Sequence, residues 1–126
     1  MTSSQKKKIL LAEDDDSMRR FLEVILKKAG YDVISAEDGL AAMQIALETD
    51  VDAIIADAIM PNLTGYDLCR MMRGNPAKKD VPFVILSGLA QTNETDCLAD
   101  VYLLKGENLK EELIETLSKF FTTEEN

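Results

Sequence analysis

The sequence predicts an α/β fold, a doubly wound five-stranded parallel sheet with helices on both faces. Two observations carry it. Five short apolar runs recur, at 9–12, 33–36, 53–56, 83–86 and 101–104, continuous rather than alternating, with Ser35 the one polar residue within them. Continuous runs are what strands buried on both faces require. Between the runs the apolar spacing changes to three and four residues, the helical period. A third observation lies at the ends of the runs: four of them terminate in charged or hydroxyl residues that a parallel sheet would project toward one edge.

In chain order, the first strand runs into four consecutive acids, Glu13, Asp14, Asp15 and Asp16. A helix comes next, with Met18, Phe21, Leu22, Ile25, Leu26 and Ala29 on one stripe and Gly30 as its stop. Asp16 precedes this helix and suits its positive end as a cap. After the second strand, Asp38 caps a helix from Gly39 to about Thr49. The third strand ends at Asp57, and a helix runs from about Gly65 to Met72. The fourth strand ends in Ser87-Gly88. The adjoining stretch LAQTNETDCLAD is polar with a weak apolar stripe, so a helix there is expected to be short or frayed. The fifth strand ends at Lys105. Asn108 and Glu111 then form a cap-and-return pair for a last helix with Leu109, Leu113, Leu117, Phe120 and Phe121 on its stripe.

The totals narrow the function. The chain has 126 residues, the size of one domain, and a formal net charge of −9. Such a field repels phosphate backbones and anionic lipid, so neither nucleic acid nor membrane is an expected partner. No apolar run approaches the ~20 residues of a membrane span, and the short apolar segment after Lys6-Lys7-Lys8 does not make a signal peptide. A cytoplasmic location is therefore expected, in which Cys69 and Cys97 are reduced thiols. The chain contains no histidine. That removes Ser-His-Asp and Cys-His nucleophile pairs, the imidazole base and a Cys/His zinc site. Chemistry is left to carboxylates, hydroxyls, amines and a hard metal ion.

Glu13, Asp14 and Asp57 would repel one another unless a cation or a shared proton joined them. Oxygen ligands with open positions suit Mg²⁺. With that ion and Lys105 cancelling negative charge, a phosphate could approach Asp57, whose carboxylate could act as a nucleophile and form an aspartyl phosphate. Ser87 could hydrogen-bond one phosphoryl oxygen. Taken singly, each residue has an ordinary explanation: solvated acids, a turn Asp, a Ser-Gly turn, a surface lysine. Together these explanations require coincidences on one edge.

These residues also carry a resemblance. Glu13-Asp14 after the first strand, Arg19 in the helix, Asp57-Ala58-Ile59-Met60-Pro61-Asn62-Leu63-Thr64-Gly65, Ser87-Gly88, Tyr102 and Lys105 stand in the order and spacing of a receiver domain. The sequence resembles the receiver domains of two-component response regulators, in particular the stand-alone chemotaxis type, over roughly residues 7–121. The resemblance implies the flavodoxin-like strand order 2-1-3-4-5, a single domain over 1–126 without an output domain, and phosphorylation of Asp57 by a histidine kinase or a histidine phosphotransfer protein. It implies Mg²⁺ held by Asp14, Asp57 and the backbone carbonyl of Ile59, with Glu13 assisting through water; Mn²⁺ or Ca²⁺ are possible substitutes. It assigns Ser87 and Lys105 to the phosphoryl group, Tyr102 to a switch that moves inward, and Ile59 and Leu89 to the rate of dephosphorylation. The chain would catalyse only its own phosphorylation and dephosphorylation, and would switch the binding of a downstream protein.

Two departures from the family pattern stand out. Gly106 replaces the proline that usually follows the lysine across a cis bond, which costs ~3 kcal/mol without proline, so this departure leaves the placement of the lysine open. The interval from Ser87 to Lys105 is about one helical turn short. The competing readings are a degenerate receiver that binds a partner without phosphorylation, an Asp-nucleophile phosphatase of the haloacid-dehalogenase type and a flavodoxin-like cofactor carrier. Against the phosphatase, Met18 stands where that family has Thr or Val. Against the carrier, the first loop is acidic rather than rich in Ser, Thr and Gly.

Overall fold

The computed structural model describes residues 6–88 and 98–122. Its strands are β1 (Lys8–Ala12), β2 (Asp32–Ala36), β3 (Ala53–Asp57), β4 (Phe83–Ser87) and β5 (Val101–Leu104). They form one parallel sheet in the order β2-β1-β3-β4-β5. The four helices among the described residues are α1 (Asp16–Lys28), α2 (Gly39–Glu48), α3 (Gly65–Arg73) and α4 (Leu109–Thr122). The order reverses between β1 and β3, the switch point where ligands of open parallel sheets bind.

The alternation of side chains along each strand divides the core into two layers. Leu10, Ile54 and Ile85 face α2 and α3, where Ala42, Ala46, Leu68, Cys69 and Met72 are buried. Ile9, Leu11, Ile55 and Leu86 face α1 and α4, where Leu22, Ile25, Leu26, Leu109, Leu113 and Leu117 are buried. Each such fully buried Leu or Ile contributes about 1.5–3 kcal/mol. Both faces of β3 are therefore apolar, which explains its unbroken run. Phe21, expected on the buried stripe of α1, is instead 46% exposed, because the turn of the helix places it beyond the edge of that stripe.

The start of α1 also differs from expectation by one residue. Asp15, not Asp16, is the N-cap: its backbone is extended and its Oδ2 accepts from the Met18 N–H at 2.7 Å. Asp16 opens the helix and pairs with Arg19. Both acids suit a positive helix end, and only the backbone conformation distinguishes them. Asp38 caps α2 as expected, accepting from the Ala41 N–H at 2.8 Å. Thr64 and Asp67 form a reciprocal capping box at α3. Cys69 is buried on α3 as a reduced thiol. Cys97, Leu89 and most of the stretch expected to hold a short helix lie outside the described residues. No helix among the described residues is long and apolar enough to cross a membrane.

Candidate functional site

The C-terminal ends of β1, β3 and β5 bring Glu13, Asp14, Asp57 and Lys105 together. β1 delivers the two acids just past Ala12, and the Glu13 N–H is fixed by the Ala36 carbonyl of β2 at 3.1 Å. β3 ends on Asp57, and the next N–H, of Ala58, donates to the Leu86 carbonyl of β4 at 2.7 Å. The Lys105 N–H donates to the Ser87 carbonyl at 2.7 Å, so β5 is carried one residue beyond its last ladder pair. Backbone pairing thus sets where these side chains start.

Glu13, Asp14 and Asp57 each present a carboxylate oxygen, and these atoms lie within 4.8 Å of one another. Glu13 is fully buried, Asp57 nearly so, and Asp14 is exposed. Lys105 Nζ stands 3.0 Å from Glu13 Oε1 and 2.9 Å from Asp57 Oδ2. Every peptide bond among the described residues is trans, so Gly106 does not prevent the lysine from reaching both acids. The lysine, whose placement Gly106 left open, thus stands at the acidic cluster.

Burial pushes the Glu13 carboxyl upward and the charge of Asp57 adds to this, against the Asp15 N–H and Lys105, which pull it down; the net shift is upward. Burial draws the Lys105 ammonium downward, but its bonds to Asp57 and Glu13 outweigh that, and its pKa is raised. One cation thus offsets part of an acidic cluster. Glu13 Oε1, although in ion-pair contact with Lys105, is buried without a hydrogen bond of acceptable geometry. A buried carboxylate oxygen with unused acceptor capacity, beside two other carboxylates, fits a hard divalent cation such as Mg²⁺.

Ser87 ends β4 at the same edge, beside Leu104. Tyr102, the second residue of β5, is half-buried against the α2/α3 layer, and its hydroxyl accepts from the Ala99 N–H at 3.3 Å. Ile59 lies in the β3–α3 loop with its side chain 69% exposed. Leu89 lies outside the described residues. Arg19 and Gly65 stand in the family pattern with no role given to them, and both support the site. Arg19 Nη1 donates to the Glu13 carbonyl at 2.9 Å while Nη2 pairs with Asp16, tying the acidic loop to α1. Gly65 lets α3 approach the site strand: a Cβ there would lie 2.3 Å from the Asp57 carbonyl oxygen. The i,i+3 spacing of Asp16 and Arg19 signals the first; nothing local signals the second.

A five-stranded 2-1-3-4-5 sheet with an acidic cluster and one lysine at its C-terminal edge defines the class of flavodoxin-like signalling modules. Within that class the chain belongs to the response regulator receiver domain family, whose model matches residues 9–119. This family comprises the phosphorylation-controlled modules of two-component systems rather than conventional enzymes.

The structure is similar to that of the chemotaxis response regulator CheY4 of Vibrio cholerae, with a TM-score of 0.85 and 30% identity over 93% of this chain and 100% of that one. It is also similar to the response regulator TrrA of Thermotoga maritima in complex with Mg²⁺-BeF, with a TM-score of 0.82 and 28% identity over 91% and 99% of the two chains. Among curated proteins, PilG of Pseudomonas aeruginosa is 41% identical over 71 residues, 56% of this chain and 53% of that protein. The chain spans about half or less of the curated relatives it matches; for the probable transcriptional regulator ycf27 of Porphyridium aerugineum the share is 40%.

Proposed function

We propose that this cytoplasmic receiver domain accepts a phosphoryl group on Asp57 from the phosphohistidine of a histidine kinase or a histidine phosphotransfer protein. The observation that carries this reading is the bridge from Lys105 Nζ to both Glu13 and Asp57, at 3.0 and 2.9 Å, in a cluster of three carboxylates drawn from distant parts of the chain. Solvated surface acids do not need a half-buried lysine between them. The same bridge favours a phosphorylated module over the degenerate alternative.

In this reading Asp14, Asp57 and the Ile59 carbonyl hold Mg²⁺, and Glu13 assists through water. Bound Mg²⁺ supplies positive charge toward the phosphoryl oxygens, and an all-oxygen ligand set leaves Mn²⁺ or Ca²⁺ as possible substitutes. An Asp57 carboxylate oxygen bonds to phosphorus as the phosphorus–nitrogen bond of the donor breaks and its electron pair returns to the imidazole. Lys105 follows the phosphoryl oxygens, to which it can turn without losing a charged partner, and Ser87 donates a hydroxyl to them. Tyr102 gives up its bond from the Ala99 N–H when it moves inward toward Ser87. That movement alters the surface presented to a downstream protein. Dephosphorylation is hydrolysis of the same acyl phosphate.

Intact-mass measurement after incubation with Mg²⁺ and a small phosphodonor tests the reading. The expected result is one added phosphoryl group, removed by hydroxylamine and absent from Asp57→Ala. A hydroxylamine-stable phosphate on Ser or Thr would overturn it.

A further inference from the structure

The loop that carries Ile59 is gripped from a direction unrelated to the carboxylates. It leaves β3 at Ala58 and enters α3 at Gly65, whose N–H donates back to the Ala58 carbonyl at 2.9 Å. Its outer side lies against the first turn of α2. A Cβ on the buried Gly39 would stand 2.0 Å from the Leu63 carbonyl oxygen and 2.5 Å from the Leu63 Cβ. Contacts this short are impossible for a real side chain, and the obstructing atoms are mainly backbone, so an added methyl must displace the loop. Beside this contact, Asn62 Nδ2 donates to Asp38 Oδ2 at 3.3 Å. Asn62 itself takes φ +74°, a left-handed conformation that Asn tolerates better than most residues. The other oxygen of Asp38 caps α2. One aspartate therefore joins the helix start and the loop, and the glycine next to it removes the atoms that would keep them apart.

We infer that Asp38 and Gly39 at the start of α2 are positioning residues for the β3–α3 loop, and that they set the affinity of the acidic cluster for a divalent cation. The inference rests on the proposed reading of the Ile59 carbonyl as a ligand. A ligand set needs its oxygens placed within a few tenths of an ångström, and Mg²⁺ tolerates misplacement poorly. The carboxylates are fixed by the sheet. The Ile59 carbonyl is fixed by its loop, and the loop is held on two sides: from its own strand and the core by Gly65 and the buried Ala58 and Met60, and from α2 by Gly39 with Asp38. Releasing the second moves one ligand and leaves the others in place.

The test is Mg²⁺ titration by calorimetry, with thermal unfolding in EDTA measured on the same proteins. Gly39→Ala is expected to weaken Mg²⁺ binding by about tenfold, and Asn62→Gly, which removes the tie to Asp38 while easing the positive φ, by about threefold. Asn62→Gly should not lower the unfolding midpoint, so its loss of affinity cannot be a loss of fold. Ala46→Gly, at the far end of α2, should lower the midpoint and leave affinity unchanged. Asp14→Ala reports on the metal site itself. If it binds Mg²⁺ as the wild type does, the metal reading fails and this inference fails with it. If Asp14→Ala loses binding while folded Gly39→Ala and Asn62→Gly keep wild-type affinity, the metal reading stands and the positioning role is refuted. Should Gly39→Ala not fold, Asn62→Gly decides alone.

Discussion

At the N-terminal ends of β4 and β5, Arg73 donates to the carbonyls of Leu98, Lys79 and Val81 and to Asp100, all at 2.8–2.9 Å. Asp100 also accepts from the Phe83 N–H at 2.8 Å, so the residue that pairs with the arginine also starts β4. At the opposite ends of the same strands, one lysine faces three carboxylates, and a buried Glu13 oxygen lacks a hydrogen bond. The first end is a satisfied network built around one cation. The second is an excess of negative charge held in place by strand pairing. Sites that must admit a cation and an anionic group are left short of partners, and the stability this costs is recovered where nothing needs to bind. Leu98 shows the same division: its φ of +65°, uncommon for a residue with a Cβ, is held by the arginine at the end remote from the site.

The largest effect that could break this contrast is at the satisfied end. Arg73→Ala removes a mostly buried guanidinium and leaves the part-buried Val81 carbonyl and Asp100 without their charged partner, so it should cost about 1–3 kcal/mol in denaturant unfolding. Mg²⁺ affinity should stay unchanged, because no bond of Arg73 reaches the acidic loop. A fall in Mg²⁺ affinity beyond the fraction unfolded would show that the two ends are coupled and the contrast is false.

A smaller and opposite effect is expected at the site. Glu13 is raised above its unfolded 4.5, chiefly by burial, so its ionisation withdraws stability. The folded state is favoured while the group is protonated; the penalty enters as pH rises from 4.5 through the raised value. Glu13→Gln removes that penalty, and in EDTA at neutral pH it should raise the unfolding midpoint by about 2 °C. It should also flatten the stability profile in that acidic window. Lys105 has the other sign for alkali: its contribution is full below 10.5 and is lost as pH rises through its raised value, and Gln at position 13 reduces it. If Glu13→Gln lowers the midpoint in metal-free buffer, the acidic edge is not the strained end.

How far the sequence discloses each end depends on the range of the interactions. β1, β3 and β4 are legible because burial on both faces demands continuous apolar runs; the half-buried edge strands β2 and β5 carry the same kind of run, and all five lie where those runs predict. Glu13, Asp14, Asp57 and Lys105 are legible because each stands at the end of such a run, and parallel strands share one edge. The N-cap of α1 is misread by one residue because Asp15 and Asp16 are chemically alike. Arg73 is hidden: a basic residue in the last turn of a helix reads as a partner of the helix dipole, and its real partners stand 6 to 27 residues away in the chain. Gly39 is hidden for the same reason, since Asp38-Gly39 reads fully as a cap and a helix start, while Leu63 is visible only once α2 lies on the loop.

The smallest effect concerns how long the phosphoryl group persists, and it sharpens the contrast by separating occupancy of the site from stability. Hydrolysis of an aspartyl phosphate needs a water in line with phosphorus. Ile59 and Leu89 are the positions assigned to that water by resemblance, and neither side chain can hydrogen-bond it. Ile59 is 69% exposed, so it contributes little to the core. Ile59→Asn should therefore leave the unfolding midpoint within error and Mg²⁺ binding intact, because only the backbone carbonyl of this residue is assigned to the metal. It should speed the decay of the isolated phosphoprotein by about two- to fivefold, through a side chain able to hold the water. A decay time course of the two proteins in parallel decides. Equal decay would mean that the exposed isoleucine does not shield the phosphorus, and that persistence, if found, comes from position 89 or from the carboxylates themselves. A change in midpoint would mean instead that the loop contributes to folding, and the division between a stable end and a reactive end would have to be redrawn through Ile59.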